Sequence, residues 1–333
     1  MRTTREVLVI GGNRYFGKRL IERLLAAGDR VTVLNRGSSA PPPGVVHLVA
    51  DRDDEQALSR AIGTRVFDVV LDQVCYTPRQ AEIACRVLAG RTARYVMTST
   101  VEVYEHEDSE VPVPESAVDP ATVAVDRQLP WGEAEFLDSH YGEGKRQAEA
   151  VFTAAGPQLP FVSVRVAHVL GGDDDFTGRL GHYADRIRTG APIAVPPVTH
   201  PATYIHVEEI ADFLFWAAGE DFTGPVNAAS HGLLTLEELC AAVAARLPEG
   251  RTVFETAEGG RAFETAEGGR AFETAEGGTA LETAGPAGAA VSPFAFRRRY
   301  GMDNSRATRL GFTFGDVRQW LPRAVAETLG KDR

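Results

Sequence analysis

Apolar and polar positions along the first half of the chain switch between two periods. Residues 7–10 form a continuous apolar, β-rich run. Residues 18–27 then place Leu20, Ile21, Leu24 and Leu25 on one helical face, and Gly28 ends the pattern. Residues 31–34, 45–49 (after the turn APPPG) and 66–71 read as the second, third and fourth strands. A helix is expected over 78–88 and a fifth strand over 95–98. Residues 105–131 are acidic and rich in proline, which predicts a long loop lying over a site. A helix over 141–155 and a sixth strand over 161–169 follow. Strands alternating with helices predict an α/β fold with a Rossmann-like, doubly wound parallel sheet.

After residue 170 the pattern loosens. Helices are expected over 180–188, 207–218 and 236–246, the last opened by the capping-box pattern Thr235-Leu-Glu-Glu238. We divide the chain into a dinucleotide-binding domain, residues 1–170, and a smaller substrate-binding lobe, residues 171–333, interleaved with the sheet. Within the lobe, FETAEGGRA begins at 254 and 263, FETAEGGTA at 272 and LETAGPAGA at 281. A period of nine is short for a solenoid unit, so 254–289 read as a tandem expansion in a surface loop.

Bulk composition narrows the class. The 333 residues are 44% hydrophobic and 24% charged, ordinary for a globular protein with an ample core. A net charge of −11 would repel RNA or DNA, so no nucleic-acid partner is expected. Three cysteines, Cys75, Cys85 and Cys240, have no paired spacing, which argues against a disulfide framework or a zinc site. No apolar run approaches a membrane span, and the first strand begins too early to leave room for a signal peptide. A cytoplasmic enzyme with a small-molecule substrate, no membrane partner and no metal is expected.

The candidate chemistry starts at GGNRYFG, residues 11–17, between a strand and a helix. Such a loop sets backbone N–H groups and a helix N-terminus against a pyrophosphate. Gly11 allows the tight turn and Gly17 the close helix–sheet approach, although Arg14 stands where a glycine is usual. Gly11, Asn13, Arg14, Tyr15, Phe16 and Gly17 are the candidate cofactor contacts of this loop. At the end of the second strand stands Asn35-Arg36-Gly37, where an acid would grip a ribose hydroxyl. Arg14 and Arg36 could pair with a 2′-phosphate, be solvated, or stack on adenine, so NADP(H) is favoured over NAD(H) by a small margin. Asp51 and Arg52, after the third strand, are candidates for an adenine contact.

Farther along, residues 141–145 read YGEGK, which puts Tyr141 and Lys145 on one helical face. An ammonium near a phenol lowers its pKa and lets it exchange a proton with a substrate oxygen. Thr100, in TSTVEVY at the end of the fifth strand, would hydrogen-bond the same oxygen. Gly144 inside the helix costs about 1 kcal/mol relative to alanine and argues against a rigid turn there.

With these motifs the chain resembles the short-chain dehydrogenase/reductase superfamily in its extended or atypical branch, and most of all the NAD-dependent epimerase/dehydratase family. The resemblance rests on GGNRYFG, NRG, TSTVEVY, YGEGK, VRVAHVLGG (164–172), YIHVEEIADFL (204–214) and GPVNAAS (224–230). It implies Tyr141 as acid/base, Lys145 as its partner and a ribose anchor, Thr100 as a substrate hydrogen-bonder, and hydride exchange with a nicotinamide. It also suggests a homodimer. Two positions depart from the nucleotide-sugar members: His168 stands for an asparagine, and Ala202 for an arginine that holds the substrate's diphosphate. A smaller or uncharged substrate is therefore expected. Val101 replaces an acid of the sugar dehydratases while Glu102 remains, so dehydration loses support.

Glu102, His168 and Arg179 are the candidate substrate contacts. His168 could be a second acid/base or bond only to backbone, and Arg179 could grip an anionic substrate or form a surface ion pair. Asp173, Asp174 and Asp175 read as solvated rather than metal-binding, His206 as a cap or packing residue, and Cys75 as a buried small hydrophobe. The leading reading is an NAD(P)-dependent oxidoreductase or epimerase acting on a small metabolite. The alternatives are a nucleotide-sugar epimerase or dehydratase, and a non-catalytic dinucleotide-binding regulator.

Overall fold

A computed structural model describes residues 4–107, 109–256 and 292–330. Most of the nonapeptide repeat expected as a surface loop lies outside the described residues.

The chain runs β1 (Glu6–Ile10), α1 (Tyr15–Ala26), β2 (Arg30–Asn35), β3 (Val46–Val49), α2 (Glu55–Ile62), β4 (Val69–Asp72), α3 (Pro78–Leu88) and β5 (Tyr95–Thr100). After several single-turn 3-10 segments come α4 (Ala134–Ser139), α5 (Tyr141–Ala154), β6 (Phe161–Val166) and β7 (His168–Leu170). The remainder is α6 (Arg179–Thr189), β8 (Ile193–Val195), β9 (Tyr204–His206), α7 (Val207–Ala217), β10 (Gly224–Ala228), α8 (Leu236–Ala244), β11 (Phe254–Thr256), α9 (Ser305–Arg309) and α10 (Val317–Gly330).

Seven strands form one parallel sheet in the order β10-β6-β5-β4-β1-β2-β3. The period of two in β1 sorts its residues between two cores. Val7 and Val9 join Leu20, Ile21 and Leu24 of α1 on one face. Leu8 and Ile10 join Leu58 of α2, Ile83 of α3 and Phe152 of α5 on the other. The expected Rossmann-like fold is present, and its strand ends from β1, β4, β5 and β6 open on one side, where the site lies.

Two expectations are corrected, one over the sixth strand and one over α5. The sixth strand does not run through residue 169. It ends at Val166, where Ala167 makes a last bond to Ala228, and β7 then leaves the sheet to pair with β9. The described residues of 105–131 form the expected irregular stretch, with 3-10 turns at Glu115–Ala117 and Pro120–Thr122, and the stretch is anchored from below. Arg165, fully buried in β6, donates to the carbonyls of Glu115 and Val118 as well as to the Glu149 carboxylate. The other correction concerns Gly144, with Gly142 beside it. A Cβ on Gly144 would lie 2.4 Å from the Tyr76 carbonyl oxygen, and one on Gly142 2.4 Å from that of Glu102. The glycines let α5 press against two backbone segments, so Gly144 serves close packing, not looseness.

Residues beyond 170 supply the seventh strand of the sheet. They also supply α7, whose Glu208 and Asp212 pair with Arg19 and Arg23 of α1.

Candidate functional site

The outer part of the site is a cleft of about 240 Å³ along the ends of β1 and β2, lined among others by Gly12, Asn13, Arg14, Arg36 and Asp51. The chain turns out of β1 through Gly11 (φ +79°) and Gly12 (φ +77°). A Cβ on Gly17 would lie 2.6 Å from Gly12 Cα, so only glycine lets α1 start this close to the turn. The Asn13 amide nitrogen donates to the Ser39 carbonyl at 2.9 Å, while its Oδ1 is buried with no partner among the described residues. Arg14 and Arg36 are exposed, and neither is ion-paired among the described residues. Asn35 Oδ1 accepts from the Gly37 N–H at 2.7 Å and closes the turn after β2. A glycine cradle, an orphaned buried acceptor and two uncommitted guanidinium groups fit a dinucleotide.

Of the other expected cofactor contacts, Arg52 lines the cleft, while Tyr15 and Phe16 lie at an inner cavity. The Arg52 guanidinium is committed, however: its Nη1 donates to both Asp72 carboxylate oxygens, at 2.7 and 2.8 Å. Tyr95 also donates to Asp72, so this buried knot braces β4 and β5 rather than presenting a free cation. Tyr15 and Phe16 line a second, inner cavity. The Tyr15 hydroxyl donates to the Gly171 carbonyl at 2.8 Å, and this bond accompanies a left-handed backbone (φ +52°) that a tyrosine adopts only under constraint.

The inner cavity, about 60 Å³, collects Thr100, Glu102, Tyr141, His168 and Arg179. Thr100 ends β5, its Oγ1 accepts the Glu102 N–H at 3.2 Å, and it is hydrogen-bonded to the Tyr141 phenol. Burial pushes the phenol above its ordinary pKa; the Thr100 bond and, more weakly, Arg179 pull it back, while Glu102 opposes them. One turn along α5, Lys145 Nζ donates to the Thr98 carbonyl at 2.8 Å and lies 5.7 Å from the Tyr141 ring centroid. Burial lowers its pKa to about 8. The sequence reading missed Tyr76, whose ring covers this ammonium at 4.5 Å. A tyrosine just ahead of the Thr77-Pro78 helix start was the available signal.

Opposite these, His168 is stacked on Phe296 at 4.8 Å, and its Nε2 is buried without a partner among the described residues. Burial first, then Arg179 and Arg298, hold it well below the usual imidazole range, so it is neutral. The Glu102 carboxylate accepts from the Tyr300 hydroxyl at 3.0 Å and lies 3.6 Å from Arg298. Burial outweighs both and raises its pKa to about 7. The segment bearing Phe296, Arg298 and Tyr300 was also missed, because nothing in its spacing points to the strand ends.

The neighbouring residues are accounted for locally. His206 caps α7 by accepting the Glu208 N–H, and Cys75 is fully buried with its thiol pushed up to about 12. Asp174 pairs with Arg19, and Asp175 accepts from Thr177. No group of His, Cys, Asp and Glu is placed to hold a metal among the described residues. Nor is any described helix long and apolar enough to cross a membrane.

The NAD dependent epimerase/dehydratase family model matches residues 7–229. The chain is 25% identical over 209 residues to the chloroplast stem-loop binding protein of 41 kDa b of Arabidopsis thaliana, a match covering 58% of this chain and 49% of that one. It is 33% identical over 100 residues to 2′-dehydrokanamycin reductase of Streptomyces kanamyceticus, covering 29% and 28%. The chain thus spans about half or less of the length of these curated relatives. Among solved structures, the UDP-glucose 4-epimerase of Thermotoga maritima superposes with a TM-score of 0.69 at 15% identity, covering 98% of this chain and 100% of that one. A dTDP-glucose 4,6-dehydratase of Bacillus anthracis gives 0.66 at 12%, covering 98% and 97%. These likenesses establish the shared fold.

Proposed function

The chain belongs to the NAD dependent epimerase/dehydratase family, and from that premise we propose that it is an NAD(P)-dependent oxidoreductase or epimerase for a small hydroxyl- or carbonyl-bearing metabolite. The observation that carries the reading is the junction of Tyr141, Thr100 and Lys145 at the ends of β5 and α5.

In this reading Tyr141 moves the proton of the substrate oxygen. Thr100 holds that oxygen and the phenol in one hydrogen-bonded line, and the Lys145 charge favours the phenolate when the proton has left. Gly11, Asn13, Gly17 and the first turn of α1 would hold the dinucleotide's pyrophosphate, and Lys145 its nicotinamide ribose. The bound nicotinamide supplies hydride exchange. Tyr15 and Phe16 stand between the outer cleft and the inner cavity, and so would shape the passage between cofactor and substrate. Arg14 and Arg36 support NADP(H) over NAD(H), because neither is neutralised among the described residues and no acid ends β2.

A nucleotide-sugar substrate is the second reading, and the epimerase fold favours it. Against it, Ala202 is fully buried and bonded in both directions to Leu234, so no cation can stand there for a diphosphate. A homodimer would need a face other than the buried part of α5. That part is covered by the chain's own loop, where Gln147 accepts the Asp126 N–H.

The test is Tyr141→Phe, assayed by the absorbance of reduced nicotinamide across a panel of small secondary alcohols and ketones. Full turnover in the variant sinks the reading. Saturable stabilisation by UDP-glucose in the presence of cofactor would favour the second reading.

A further inference from the structure

The inner cavity carries three features that the acid/base reading leaves unused. Arg179, the first residue of α6, lines the cavity, yet its guanidinium makes no hydrogen bond or ion pair among the described residues. The nearby acids are committed elsewhere, Asp174 to Arg19 and Asp175 to Thr177. The Phe294 ring lies 5.8 Å below the guanidinium and supports its plane. His168, 8% exposed and neutral, faces the same space with an unpartnered Nε2. An uncommitted buried nitrogen and an uncommitted cation around one small space form a built receptor, since leaving both unfilled costs desolvation without return.

We propose that this cavity recognises a substrate carboxylate, held by the Arg179 fork and by His168 Nε2 in its N–H tautomer, so that the substrate is a compact hydroxy or oxo carboxylic acid. The inference rests on the catalytic reading above and names its substrate class. Size and charge both select a carboxylate. The cavity is about 60 Å³, far below the roughly 300–1,000 Å³ of pockets that enclose drug-sized ligands. One guanidinium and one neutral imidazole match a single negative charge on two oxygens. A phosphate ester or diphosphate asks for more cations, and Arg298, beside Glu102, is already engaged by Glu102 and Tyr300.

Glu102 makes the recognition depend on pH. Its carboxyl lines the same cavity and faces Arg298 and Tyr300 from the segment ahead of α9, Glu105 from its own turn, Arg179 from α6, and Tyr141 from α5. With its pKa raised to about 7, it is protonated in weak acid and can accompany a bound carboxylate, whereas above neutrality its charge repels one.

The test is calorimetric titration of the whole chain, with and without NADP+, using two matched three-carbon probes, lactate and propane-1,2-diol, and inorganic phosphate as a third probe. Binding is read directly, so the result does not depend on turnover. Lactate is expected to bind saturably and the diol not to. Arg179→Gln is expected to weaken lactate about 10- to 100-fold, the loss of one charge-assisted bidentate contact. Lactate affinity should fall between about pH 6 and about pH 8 in the wild type and stay flat in Glu102→Gln. Tyr141→Phe should keep lactate binding, which separates this inference from the acid/base assignment. Equal binding of lactate and diol, unchanged affinity in Arg179→Gln, preference for phosphate, or no binding of any probe would each overturn it.

Discussion

Lys145 reaches the strand ends from beneath Tyr76. Its Nζ lies 4.5 Å from the centroid of the Tyr76 ring, and it donates 2.8 Å to the Thr98 carbonyl. The ring shields the ammonium from water, and burial brings its pKa down to about 8. An unfolded lysine titrates at about 10.4. Between these values the unfolded chain binds a proton that the folded protein does not, so stability rises with pH from about 8 to about 10.4. Denaturant titrations of the cofactor-free protein should show this slope, and Lys145→Met should lose it. Tyr76→Leu should shift the onset of the slope upward, because water then reaches the ammonium.

Glu102 gives the opposite sign at lower pH. Its folded pKa of about 7 lies above an unfolded value of about 4.3. The stability it contributes is present below about 4.3 and is lost as pH rises through about 7. Comparing wild type with Glu102→Gln across that range isolates the effect. A parallel pH dependence in the two proteins would show that Glu102 ionises freely.

Gly142 and Gly144 test the packing of α5. Alanine in a helix interior ordinarily gains about 1 kcal/mol over glycine. Here each new Cβ would meet a backbone oxygen at 2.4 Å, which cannot move aside as a side chain could. Overpacking costs of about 1–3 kcal/mol or more should win, so Gly142→Ala and Gly144→Ala should both destabilise. Gly132→Ala, which meets nothing within 4 Å, should stay within about 0.5 kcal/mol of wild type.

Arg165 and Glu149 are both fully buried, and their closest approach is 2.7 Å. Removing one partner leaves the other charge buried alone, so Arg165→Met should cost about 3–5 kcal/mol. Because Arg165 also holds the Glu115 and Val118 carbonyls, the variant should expose residues 105–131 to limited proteolysis before the rest of the chain is cut. Global unfolding without earlier cleavage there would remove the anchoring role.

The proposed NADP(H) preference rests on two residues. Arg14→Ser with Arg36→Ser should weaken NADPH about 10- to 100-fold and leave NADH unchanged, as measured by fluorescence titration. Equal losses for both cofactors would mean that the arginines contact the part the two molecules share.

The sequence made the sheet legible wherever a strand was buried on both faces. Val7–Ile10 and residues 95–98, the buried start of β5, stand out as apolar or β-branched runs that only a covered parallel strand needs. Pro78–Leu88 was readable to the residue, because Thr77 caps it and proline opens it. The capping box at Thr235 and Glu238 likewise forms as expected. By contrast, α4 buries no side chain and β10 opens with Gly224-Pro225, so neither carries a periodic signal. The Tyr141, Lys145 and Thr100 group was readable because helical spacing and chain order fix it. Arg52 was readable as a residue of the cleft, whereas its pair with the buried Asp72 was not, because the two meet only through tertiary packing. Tyr300 and Arg298 were invisible because they meet Glu102 only through tertiary packing, across 198 residues in the case of Tyr300.

The late arrival of β10 in the sheet has a consequence for how this protein comes off the ribosome. β6 is the first partner available to β5 on that side, but β6 stays an open edge until residues 224–228 have been made. Arg19 and Arg23 on α1 also wait for Glu208 and Asp212, 189 residues downstream in two of their contacts. A nascent chain stopped near residue 170 would therefore carry all the cofactor loops and still hold an unpaired strand edge beside a bare apolar helix face, the kind of surface that chaperones hold and aggregates grow from. Residues 1–170 alone would lack the strand beside β6 and the ion pairs to α7, so they are not expected to behave as a separable module.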